Sequence, residues 1–198
     1  MSEVREKIIT ALKEVKRKGI ENLIDYISNK SDFFTAPASA KYHSNYETGL
    51  AEHSWLVREL FDGKNKQFQL GLPEDTITIC SIGHDLCKCN FYKKGFKNVK
   101  DGKKMNNFGK EVDNWVEKEV WEIDDQLPLS HGHKSIILLQ RFIPLSEFEV
   151  LAIAWHMGLP EEYEMKMAYS KACEKYPAII ALHTADVESS YLLEKIIK

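Results

Sequence analysis

A carboxylate in the middle of an apolar helical stripe is the strongest constraint on how this 198-residue chain can fold. After Pro177, a good helix starter, Ile179, Leu182, Asp186 and Leu193 fall on one face at helical spacing, with Glu188 and Glu194 off it. Burying Asp186 there without a partner costs several kcal/mol or forces the group to take up a proton. A salt bridge is the usual remedy for a lone buried acid, and a bound metal ion is the other. The fold must bring one of them to this helix.

Other segments hold the groups that could serve. Tyr46, Leu50, Val57 and Leu60 recur at helical spacing up to Phe61, and His53 lies on the same inward stripe. A single inward histidine is most often a core group satisfied by a backbone carbonyl. A second one stands in Ser81-Ile82-Gly83-His84-Asp85-Leu86-Cys87-Lys88 at the end of an apolar run. There Ile77, Cys80 and His84 share a face, Asp85 sits beside them, and Gly83 lets another backbone come close. Ser130 suits the N-cap of a helix running through Phe142, with His131 in its first turn and His133 pointing elsewhere. Ser146 and Glu149 carry a capping-box signature for the next helix, which Gly158 stops and which leaves His156 in its final turn.

Together these make a set of His53, His84, Asp85, His131, His156 and Asp186. Nitrogen and oxygen donors in this mixture suit Mn, Fe, Co, Ni or Zn better than Ca, with Mg still admissible. His53, His84, Asp85 and Asp186 could hold one ion and leave positions open. Adding His131 and His156 makes room for a second, with Asp85 as the bridge.

The rest of the chain frames that set. Val4, Ile8, Leu12 and Val15 form a helical stripe, and Ile20 to Ile27 supply a short second helix, so residues 1–30 read as a cap on the core. Pro37 makes 32–39 a packed loop. Residues 91–127 change character: lysines interleave with Phe91, Tyr92, Phe96 and Phe108, and an acidic stretch around Trp115 and Trp121 follows. Asp101-Gly102 is a tight-turn signal, which predicts a β-hairpin flap. Its two halves could neutralise one another, or its basic half could cover an anionic substrate. A formal charge of −3 argues against an extended nucleic-acid surface. Cys80, Cys87, Cys89 and Cys173 read as reduced thiols of a cytoplasmic protein, and no apolar run reaches membrane-spanning length. Nothing marks a boundary, so residues 1–198 read as one domain.

The ordered pattern of His53, His84-Asp85, His131, His156 and Asp186 resembles the HD-domain superfamily of metal-dependent phosphohydrolases. The surrounding text is similar to small phage and bacterial single-domain members: Ala36-Pro37-Ala38-Ser39, Tyr42-His43, Glu52-His53-Ser54, His84-Asp85-Leu86-Cys87-Lys88, His131-Gly132 and Trp155-His156-Met157-Gly158. The likeness runs from Asp32 to Leu193, and it departs at His133, where an acidic residue is expected. Either His131 or His133 could then be the ligand, with His131 favoured.

The resemblance implies an all-α fold, an HD-domain helical bundle with a small β-hairpin inserted at 91–122. It also implies hydrolysis of a phosphate ester of a nucleotide or related small molecule. Asp85 is expected to act at the metal, Lys88 on the phosphate, and His43 as a proton donor or substrate contact, while His183 backs a ligand. The alternatives are an HD-fold di-iron oxygenase, since the same donors can activate dioxygen, and a non-catalytic nucleotide-binding module.

Overall fold

A computed structural model describes residues 3–194, which hold eight α-helices and one antiparallel pair of long strands. Helix α1 (Glu3–Glu14) opens on Glu3 and Glu6 and closes on Lys13, an order of charge that suits the helix dipole. It buries Ile8, Ala11 and Leu12. A short α2 (Ile20–Asp25) continues into a wide turn, Tyr26–Lys30, that buries Ile27. The centre of the molecule is α3 (Gly49–Gln67), against which α1, α4 (Glu74–Gly83) and the last helix, α8 (Ala178–Glu188), all pack. Between them stand α5 (His131–Gln140) and α6 (Glu147–Trp155), packed on each other, with α6 also against α4 and α8.

One apolar core joins these helices through Leu12, Leu50, Val57, Phe61, Ile77, Ile153 and Leu182, all essentially without solvent contact. Each such side chain contributes roughly 1.5–3 kcal/mol. The capping box forms in full, since Ser146 Oγ accepts from the backbone of Glu149 and the Glu149 carboxylate accepts from the backbone of Ser146. That carboxylate is fully buried and also receives Arg17 Nη1 at 2.5 Å and Thr76 Oγ1 at 3.0 Å. It therefore ties the start of α6 to α4 and to the chain following α1. Gly83 does not admit a backbone, as expected from the sequence, but a side chain: a Cβ there would lie 2.6 Å from Leu139 Cδ1. Helix α7 (Tyr163–Lys175) has no counterpart in the sequence reading, because it buries only Ala172 and so shows no clear apolar stripe.

The all-α expectation is wrong. Strands β1 (Tyr92–Met105) and β2 (Glu111–Ile123) are 14 and 13 residues long and pair along their length, so the chain is largely helical but mixed in class. Opposite charges lie near one another across the ladder, with Lys94 at 2.5 Å from Glu119 and Lys100 and Lys103 each 2.6 Å from Asp113. Lys94 and Lys100 also lie over the rings of Trp121 and Trp115. Such cross-strand pairs stabilise an extended ladder over a short hairpin. Nor is Asp101-Gly102 the turn. Gly102 sits at φ +73° where the register slips between Lys100 and Lys103, a bulge, and the chain reverses instead at Asn106–Lys110.

Candidate metal centre

Five helical segments deliver the site. His53 comes from the buried side of α3, and His84 follows the last turn of α4. Asp85 follows at once, leading into the tight turn Leu86–Lys88. His131 opens α5, His156 closes α6, and Asp186 comes from α8. The approach of α5 to α6 depends on Gly132, where a Cβ would lie 2.4 Å from the Ile153 carbonyl oxygen.

Two of the imidazoles have their tautomers set by their own helices. His84 Nδ1 donates to the Ser81 carbonyl and His156 Nδ1 to the Ile153 carbonyl, each at 2.7 Å. A ring that spends its proton this way turns a bare Nε2 lone pair inward, the form a metal takes. His156 Nε2 is buried with no partner in hydrogen-bond range; Asp85 Oδ1 stands 3.7 Å away, and although burial opposes the charge, that carboxylate raises the His156 pKa above its ordinary value.

His53 differs. Its Nε2 lies 3.1 Å from His84 Nε2 and 3.3 Å from both Asp85 Oδ2 and Asp186 Oδ1, while its Nδ1 lies 2.6 Å from Glu194 Oε1. Both ring nitrogens of His53 thus face acceptors, His84 Nε2, Asp85 and Asp186 on one side and Glu194 on the other. Burial opposes the charge, but Asp186, Asp85 and Glu194 outweigh it and hold the His53 pKa well above its ordinary value. Burial takes His84 the other way, to about 4, so it stays neutral. Burial would raise Asp85, yet Lys88, His84 and His131 hold its carboxyl well below the usual range. Asp186 is likewise lowered against its burial, chiefly by His53.

The remaining groups lie around this centre. His131 Nε2 is 2.5 Å from Asp85 Oδ1, whereas His133 stands on the surface with its Nδ1 2.5 Å from Ser130 Oγ. The Ser130 side chain thereby meets another side chain and caps no backbone N–H of α5, while its carbonyl accepts from the Lys134 N–H at 3.0 Å. Lys88 is buried rather than solvated, its Nζ 2.5 Å from Asp85 Oδ2. The His43 ring centre is 5.2 Å from that of His53, and its buried Nε2 has no partner. His183 Nδ1 donates to the His156 carbonyl at 2.7 Å, so it braces the end of α6 and does not back a ligand side chain.

Four groupings have ligand atoms within 4.8 Å of one another: His53-His84-Asp85, His84-His156-Asp186, Asp85-Cys87-His131 and His43-His53-Glu194. Several buried histidine, aspartate and cysteine groups can therefore hold a metal ion. Cys87 is a poor fourth donor, since burial pushes its thiol up to about 12. Asp85, His131, His156 and Asp186 border a cavity of about 590 Å³, while His53 and His84 lie behind them, fully buried. Asp85, Lys88, His131 and Asp186 line its polar part, and the exposed side chains of Tyr42, Met157 and Tyr191 its apolar part.

Sequence reasoning missed Glu194 and this apolar rim. Glu194 lies off the α8 stripe and reaches His53 only because the chain leaves the helix through a wide turn at Ser189–Leu193. Tyr42 and Tyr191 carry no periodic signal. All four cysteines are free, and no helix among the described residues is long and apolar enough to cross a membrane. No family model, no curated protein and no solved structure matches this chain, so what can be said of its chemistry comes from its own residues.

Proposed function

We propose that this protein is a metal-dependent phosphohydrolase of HD type that cleaves a phosphate ester of a nucleotide or a related small molecule. The observation that carries this reading is the convergence of His53, His84, Asp85, His156 and Asp186 on one space, with His156 Nε2 buried and outside hydrogen-bond range of any partner. Mn, Fe, Co, Ni or Zn would suit these donors, as one ion or as two, with Asp85 among the residues that would hold either. When bound, such an ion lowers the pKa of water toward neutrality and draws in the phosphate.

The chain's own groups do the rest. Lys88 Nζ lines the cavity while held by Asp85, so it can donate to a phosphate oxygen without losing its counter-ion. His43 presents an unpartnered Nε2 beside the donors, and burial lowers its pKa, so it enters as a neutral ring able to hydrogen-bond the substrate or to take up a proton. Preference for a nucleotide rests on Tyr42, Tyr191 and Met157, which offer flat and apolar surface for a base. The flap lysines support it less, because cross-strand acids engage them and Tyr92 is the one ribbon residue lining the cavity.

The test is metal analysis of the purified protein together with phosphate release from nucleotides and phosphodiesters, with Mn, Co, Ni or Mg supplied. Bound transition metal and metal-dependent release are expected. Iron-dependent oxygen uptake without phosphate release would replace the hydrolase by an oxygenase, and tight nucleotide binding without turnover would replace it by a binding module.

A further inference from the structure

We infer that Glu194 is a positioning residue for the metal centre, a carboxylate that holds His53 by Nδ1 and so aims its Nε2 at the ion. This rests on the metal-site reading above. His84 and His156 are each held by the carbonyl three residues earlier in their own chain segment. His53 is not: its Nδ1 meets Glu194 Oε1, 141 residues away, at 2.6 Å. The carboxylate is itself fixed, its side chain almost entirely buried. Ser189 Oγ donates to the same oxygen at 2.6 Å, and the backbone N–H of Glu194 donates to the Ser189 carbonyl at 3.0 Å. These contacts all belong to the turn that ends α8, and within it Ser190 Oγ also reaches Asp186 Oδ1 at 3.5 Å. One short segment therefore braces two of the proposed ligands.

A carboxylate behind an imidazole does more than a carbonyl can. It fixes the ring's rotation, keeps the proton on Nδ1, and by its charge makes Nε2 a stronger electron donor. Loss of such a partner typically weakens metal binding about 10–100-fold. Glu194 thus makes the turn after α8 part of the metal site, although it need not touch the ion.

The experiment is titration of the metal-free full-length protein with Mn(II), and separately with Co(II) read by its visible absorption, for wild type, Glu194→Ala, Glu194→Gln and Ser189→Ala. Thermal melts of the metal-free forms run alongside. Glu194→Ala should bind about 10–100-fold more weakly at unchanged stoichiometry and with an altered Co(II) spectrum. Glu194→Gln keeps an acceptor and should recover part of the loss, and Ser189→Ala should lose only a few-fold. If Glu194→Ala fails to fold, the Gln and Ser189 variants still decide, provided that their melts match wild type. Wild-type affinity in Glu194→Gln and Ser189→Ala together, or in a folded Glu194→Ala, overturns the inference. So does the loss of a whole equivalent of ion, which would make Glu194 a ligand. If wild type and every variant bind no ion, the metal-site reading has failed and this inference with it.

Discussion

Replacing Asp85 by alanine removes the anion on which Lys88 and the imidazoles of the site converge. Lys88 Nζ and His131 Nε2 each lie 2.5 Å from its oxygens, with His53 Nε2 at 3.3 Å and His84 Nε2 at 3.5 Å. In the metal-free protein the substitution strands the buried Lys88 ammonium. Removing one partner of a buried pair costs about 3–5 kcal/mol, because the other charge stays desolvated. For a chain of this length each kcal/mol moves the melting temperature by about 2–4 °C, so the chelated variant should melt about 6–20 °C below chelated wild type. Mn(II) at 100 times its dissociation constant should stabilise wild type by about 2.7 kcal/mol, a rise of about 5–11 °C. Asp85→Ala should show no such rise and release no phosphate. Differential scanning fluorimetry with and without EDTA reads both effects. A chelated variant that melts with wild type and still gains on adding Mn(II) would show Asp85 to be neither counter-ion nor ligand.

Away from the metal, Glu149→Ala breaks a buried network with Arg17 and Thr76 and should cost about 3 kcal/mol in urea unfolding; an unchanged midpoint would show the network to be idle. Gly132→Ala puts a Cβ 2.4 Å from the Ile153 carbonyl oxygen, so α5 must move off α6. A loss of about 1–3 kcal/mol, together with weaker Mn(II) binding as His131 shifts from Asp85, should appear in melts and titrations, and wild-type values in both would refute the close approach. Metal affinity should climb with pH, because the raised pKa of His53 means that an ion must displace its proton. The sign for stability is opposite. A histidine raised from 6.5 contributes to the metal-free fold below that pH and ceases to as pH rises through its folded value, so chelated protein should lose stability with rising pH while Mn(II) affinity grows. A pH-independent affinity would mean that His53 is already neutral.

Much of the site could be read from residue order, because helical period is a local property of the backbone. His53 among Leu50 and Val57, and Asp186 after Ile179 and Leu182, face inward wherever a helix forms, and both do so. The same local logic failed at Asp101-Gly102, since a glycine with positive φ serves a bulge as well as a turn and only cross-strand register tells them apart. The all-α expectation, which the family resemblance carried, failed because the hairpin read from the residues pairs over two strands of 14 and 13 residues, a length that only the cross-strand ladder shows.

Residue order thus placed His53, His84 and His156 on inward helix faces through periodicity, and the cost of desolvating Asp186 called for a partner beside it. Distances between helices were settled by packing alone. The carboxylates gathered around His53 and the arrival of Glu194 from a wide turn depend on contacts between residues far apart in the chain. Proton placement follows neighbours in space, and no run of letters contains those.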